Sequence, residues 1–166
     1  MIVSNSSPLI YLSKIGKLSL LKELFNKIKI PKEVYNEVVL RGREGGFSDS
    51  YSVEKAVEDG WIEVISIKLD KQIEKFASEI DFGEVEAISL ALKLKAQLVI
   101  IDDSSARTIA ESFGLNVKGT LYVLLRAYKN KLISKNDVKN NINSLIRLGF
   151  RISPELYGEI LNELDK

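Results

Sequence analysis

The feature that most constrains this chain is an alternation. Met1–Ser4, KIKIP (27–31), WIEVISI (61–67), QLVIIDD (97–103) and LNVKG (115–119) read as short strands, and each is followed by a segment with helical spacing. Strands separated by helical crossovers pair in parallel, and a parallel sheet is covered on both faces. The expectation is one α/β domain over 1–166 with a helical C-terminal part from about residue 119. There are no repeats or linker-like tracts to divide it.

The helical segments have local signals. In PLIYLSKIGKLSLLKELF the apolar residues recur at helical spacing, and Gly16 bends or divides the run. Pro31 suits the first turn of KEVYNEVVL. RGREGGFSDS (41–50), with three glycines in a polar run, reads as a loop. Helices are expected over 50–58, over 70–80, and after Gly83 along EVEAISLALKLKA. SSARTIAESFG reads as a capped helix closed by Gly114. Three more helices are expected at 119–131, 135–148 and 154–164, with Ser134 and Ser153 as N-caps and Pro154 at a first helical position.

Composition narrows the chemistry. The 166 residues include no cysteine and no histidine. Disulfides, thiolate sites, histidine-ligated zinc and the Ser-His-Asp triad are excluded. Catalysis would rest on carboxylates, hydroxyls, lysines or a hard metal ion. No apolar run approaches the ~20 residues that span a bilayer, and the start does not resemble a signal peptide, so a cytoplasmic protein without a membrane partner is expected. The net charge of +1 hides an asymmetry. Residues 118–151 carry eight basic side chains against Asp137 alone, while residues 1–103 carry 14 basic and 17 acidic ones. The basic stretch reads either as a phosphate-binding surface or as a solvated helical face.

In parallel sheets, sites form at the carboxyl ends of the strands. Four polar spots could meet there: Asn5 with Ser6 and Ser7, Glu37, Glu84 with Glu86, and Asp102 with Asp103. Two aspartates at the end of an apolar strand, with Glu84 nearby, repel one another unless a cation neutralises them. Oxygen-rich acidic sites suit Mg²⁺ or Mn²⁺, which activate water and stabilise charge on a phosphodiester. Each residue also has a plainer reading. Asp103 or Ser104 caps the next helix, Glu84 complements a helix dipole, Glu37 is solvated, Glu86 is structural, and Asn5 and Ser6 are N-caps.

The segments VSNSS, IPKEVYNEVV and GEVEAISLALKLKAQLVIIDD together resemble the PIN-domain family, metal-dependent ribonucleases that include VapC-type toxins. Glu84 stands 18 positions before Asp102, as in that family's helix-then-strand run, which favours Glu84 over Glu86 as its third acid. VSNSSPLI, KIGKLSLLKELF, VKGTLYVLL and LGFRISPELYGEIL resemble more closely a prokaryotic, VapC-like subfamily. The resemblance implies a three-layer fold with four to five parallel strands, an RNA substrate, one or two Mg²⁺ or Mn²⁺ ions, and often a homodimer. It implies Glu37, Glu84 and Asp102 as catalytic residues. Metal ligands would come from Asn5, Glu84, Asp102 and Asp103. Ser6, Ser7 and Arg107 would contact substrate, although Arg107 also reads as a surface or ion-paired arginine. As a toxin the chain would be blocked by a small antitoxin protein. One departure stands out: the family's first acid is aspartate, and here it is Asn5, whose amide brings no charge to a cation.

Two rival readings follow from the same residues. Asn5 is consistent with a PIN fold that has lost catalysis and binds RNA or protein. A receiver-like module would also gather acids at strand ends, but it wants a later strand ending in lysine, and no apolar strand is read as ending so. Phosphate-cradling glycine motifs are absent.

Overall fold

A computed structural model describes all 166 residues. Five parallel strands form one sheet in the order β3-β2-β1-β4-β5. They are β1 (Ile2–Ser4), β2 (Ile28–Pro31), β3 (Ile62–Ile65), β4 (Leu98–Ile100) and β5 (Val117–Lys118). β1 lies at the centre, with Val3 level with Lys29 of β2 on one side and with Val99 of β4 on the other. The helices are α1 (Ser6–Lys14), α2 (Ser19–Phe25), α3 (Lys32–Tyr35), α4 (Gly42–Glu44), α5 (Asp49–Glu58), α6 (Lys71–Glu74), α7 (Phe82–Leu94), α8 (Ser104–Ser112), α9 (Thr120–Lys129), α10 (Lys135–Arg147) and α11 (Pro154–Leu164). A π-helical turn, Asn36–Arg41, joins α3 to α4.

The three layers follow from side-chain alternation. Along β4, Leu98 and Ile100 enter a core with α1, α2, α9, α10 and α11. Val99 and Ile101 point the other way, into a core with α7 and α8. A strand apolar on both faces must be covered on both, as the sequence of β4 predicts.

Several boundaries differ from the sequence reading. Gly16, at φ 68°, separates α1 from α2. The stretch 41–50 is not one loop. Helix continues through Glu44, and α5 already starts at Asp49. Gly42 makes this possible, because a Cβ there would come 3.0 Å from Ser50 Cβ. Residues 70–80 hold only the four-residue α6, followed by tight turns in which Phe76, Ala77 and Glu79 each donate to the carbonyl three residues back. α6 and those turns together still bury Ile73 and Ile80, which is the apolar pattern that read as a longer helix. α7 begins before Gly83, with Asp81 at its N-cap. β5 does end in a lysine, Lys118. The strand order nonetheless separates this sheet from receiver-like folds, whose order is 2-1-3-4-5.

Candidate functional site

The order of the strands reverses between β1 and β4, the position at which parallel sheets open a crevice at their carboxyl ends. Asn5 follows β1 there. It occupies the N-cap position of α1, yet its side chain makes no capping bond. Its amide donates instead to Glu84 Oε1 at 3.4 Å. Asn5 is 2% exposed, and its Oδ1 has no hydrogen-bond partner. A buried acceptor without a donor is costly, so this oxygen is poised for a ligand.

Glu84 is buried at N3 of α7, and its Oε2 accepts the Asp81 amide at 3.1 Å. Burial pushes its carboxyl up to about 7. The Asp81 amide opposes the shift, while Asp103, Asp81 and Glu37 add to it by repulsion. Glu37 lies in the π-helical turn and accepts the Ser6 hydroxyl. Its pKa is also raised by burial, with the Ser6 bond working against the shift. Its carboxylate rests on Gly83, where a Cβ would come 2.7 Å from both oxygens. Arg41 approaches its Oε1 at 3.9 Å. Glu86 turns away from this group and accepts the Glu33 amide at 2.9 Å, satisfying the start of α3.

Asp102 sits on the other side of the crevice. Its Oδ1 accepts the Thr120 amide and its Oδ2 the Thr120 hydroxyl, each at 2.7 Å. Burial raises its pKa, against these two bonds and the nearby Arg107 guanidinium. Gly119 leaves the room, since a Cβ there would come 2.7 Å from Asp102 Oδ1. Asp103 is exposed and caps α8 by accepting the Ala106 amide at 2.9 Å. A cavity of about 480 Å³ opens over Asp102, Asp103 and Ser7 and is bounded by Phe150 and Arg151. A second, of about 300 Å³, lies between Asp102, Arg107, Lys118 and α11.

The structure thus brings together Asn5, Glu84, Glu37 and Ser6, with Asp103 near enough to repel Glu84. Asp102, Ser7 and Arg107 face the adjoining cavities. Thr120 escaped the sequence reading. Its signal was the KGT step, a glycine leading into a helix directly after a short strand, but nothing in that step points to Asp102, 18 positions earlier. Phe150 and Arg151 arrive from the turn after α10; in the sequence they stand in LGFRISPELYGEIL, which carries part of the family resemblance, and nothing there marks them as site residues beyond Arg151's charge.

The model of the family described as PIN domain, DUF3368, matches residues 1–166. The chain belongs to the PIN-domain family. No curated protein matches it. PIN domains are typically nucleases that use divalent cations and act on RNA. In this PIN domain no three acidic side chains converge closely enough to enclose an ion. The donors nearest to what a hard cation needs are Asn5 Oδ1, a buried oxygen without a partner, and the Glu84 carboxylate, whose charge is disfavoured by burial and by neighbouring acids and would be compensated by a cation. No helix is long and apolar enough to cross a membrane.

Proposed function

We propose that this PIN domain is a Mg²⁺- or Mn²⁺-dependent endoribonuclease of the VapC-like group, with one domain spanning 1–166. The observation that carries the reading is the buried, partnerless Oδ1 of Asn5, a side chain that leaves its capping role and donates its amide nitrogen to Glu84. Asn5 and Glu84 would hold the cation, with Asp103 at the rim and Asp102 across the crevice. When bound, the cation supplies Lewis-acid activation and charge stabilisation on the phosphodiester. The other groups are the chain's own. Glu37, oriented by Ser6, has a carboxylate oxygen free to take a proton from an incoming water. Asp102, locked by Thr120, fixes the far wall. Arg107, with Ser7 and Arg151 at the cavity edge, meets phosphate oxygens. As a toxin, such a chain would act as a homodimer and be silenced by a small antitoxin protein seated over the crevice. Its setting would be the cytoplasm.

A specific observation favours a second reading, a PIN fold that binds RNA without cutting it. Asn5 brings no charge, and both Asp102 oxygens are already engaged. One experiment separates the two. Labelled mixed-sequence RNA is incubated with wild type, Asp102→Asn and Asn5→Asp in Mn²⁺, Mg²⁺ or EDTA. The nuclease reading expects metal-dependent cutting by wild type and none by Asp102→Asn. Cutting by Asn5→Asp alone would establish the second reading.

A further inference from the structure

The two cavities that flank α9 share a wall. Tyr122, on the first turn of α9, lines the cavity beside Asp102 and also a cavity of about 350 Å³ at the opposite, amino end of the sheet. The second cavity adds Arg126, one helical turn further on, and Phe25 at the end of α2. These groups are already stacked. The Arg126 guanidinium lies 5.1 Å from the Phe25 ring centre and 5.8 Å from that of Tyr122. It also donates to the Tyr122 hydroxyl at 2.7 Å. Lys118 Nζ also lies 5.9 Å from the centre of the Tyr122 ring. None of Arg107, Lys118, Arg126 and Arg151 is in an ion pair. No acid lines the second cavity, and in the first the only acid is Asp102, whose oxygens are taken by Thr120.

Unpaired cations interleaved with half-exposed rings are the chemistry of single-stranded nucleic acid binding, in which phosphates track the cations and bases stack on the rings. An acidic protein surface would use the cations but leave the ring faces idle. We infer that single-stranded RNA runs from the crevice at Asp102 along the outer face of α9, across Lys118 and Tyr122, to a second base-and-phosphate subsite at Arg126 and Phe25. This rests on the proposed action on RNA and adds a length requirement to it. A substrate long enough to reach Arg126 binds more tightly than one that fills the crevice alone.

The test is fluorescence anisotropy in EDTA, where binding is read without turnover, using labelled single-stranded RNAs of about 4 and about 12 nucleotides. For Arg126→Gln the longer RNA should bind about tenfold more weakly. Its log-affinity against log-salt slope should become shallower by about 0.7, the share of one single-strand phosphate contact. The short RNA should be unaffected. Equal binding of the longer RNA by variant and wild type overturns the inference, as does equal weakening of both lengths. A second measurement needs no variant. Thiouridine placed toward the far end of the longer RNA should photocross-link wild type at Phe25 or Tyr122, and cross-links confined elsewhere overturn it. If wild type shows these length effects but never cuts with metal, the nuclease reading fails and the track stands. If it cuts while Arg126→Gln binds like wild type, the nuclease stands and the track fails. If neither RNA binds, the track fails, and the nuclease reading stands or falls on cutting with metal.

Discussion

Two acids of the site lean on positions that have no side chain. Glu37 occupies the space above Gly83, and Asp102 the space beside Gly119. Neither glycine has a positive φ, so alanine is permitted by the backbone and excluded only by the carboxylate. Gly83→Ala should therefore leave far-ultraviolet circular dichroism unchanged while pushing Glu37 off its Ser6 bond. RNA cleavage should fall by about 100-fold, the usual scale for a displaced catalytic group. Cleavage at the wild-type rate would show that Glu37 need not sit there. Glu84 makes a separate prediction. Its folded pKa, about 7, lies above the ordinary 4.5, so the folded state holds the extra proton between those values. Stability from this group is thus full below about 4.5 and is lost as pH rises toward 7. Glu84→Gln keeps an acceptor for the Asp81 amide and removes the charge. It should raise the melting temperature by several degrees at pH 8 and by little at pH 4.5, a difference readable by differential scanning fluorimetry without metal. An equal effect at both pH values would remove burial as the cause. The acids themselves were visible in the sequence, because strand ends and a first helical turn are positions that a pattern can mark. The glycine clearances were not, since they depend on which element packs opposite.

At the scale of elements, caps were the most readable feature. Ser134 and Asp137 form a reciprocal box, with Ser134 Oγ accepting the Asp137 amide at 3.0 Å and Asp137 Oδ2 accepting the Ser134 amide at 2.8 Å. Ser134→Ala should cost about 1 kcal/mol, a fall of about 2–4 °C for a chain of this size. Asp137→Asn, which keeps an acceptor, should cost less. The same local logic failed at Asn5, an N-cap by type and position whose side chain serves Glu84. It failed again at NEVVLR, where apolar spacing predicts helix but cannot distinguish a four-residue from a five-residue hydrogen-bond step. The wider step swings Glu37 onto Gly83, so the element that departs from regular geometry is also the one that aims a site residue. Residues 41–44 read as loop because glycine and charge dominate them, yet Arg41 pairs with Glu33 and Arg43 with Glu54, and these contacts come from elements the local window does not contain.

At the scale of the whole molecule, the charge asymmetry is partly resolved by the last helix. Lys129 pairs with Glu163 and Lys135 with Asp165, so an acid of α11 and its C-cap neutralise part of the basic stretch and leave Lys118, Arg126 and Arg151 without ion-pair partners. Two attachments hold α11: these exposed ion pairs, and the burial of Ile160 and Leu164 at 3% exposure each. Magnitudes decide between them. Exposed pairs contribute about 0–1 kcal/mol and are screened by salt, whereas cutting a buried isoleucine back to alanine costs about 2–5 kcal/mol. Thermal unfolding should therefore shift by no more than a few degrees between low salt and about 1 M NaCl. Ile160→Ala should lower the midpoint by on the order of 10 °C. A salt effect as large as that of Ile160→Ala would place the attachment in the charges. Because α11 also walls the cavity beside Asp102, loosening it through Ile160→Ala should weaken RNA binding in EDTA well below the melting temperature. Breaking the Lys129 pair with Lys129→Ala should leave that binding within twofold.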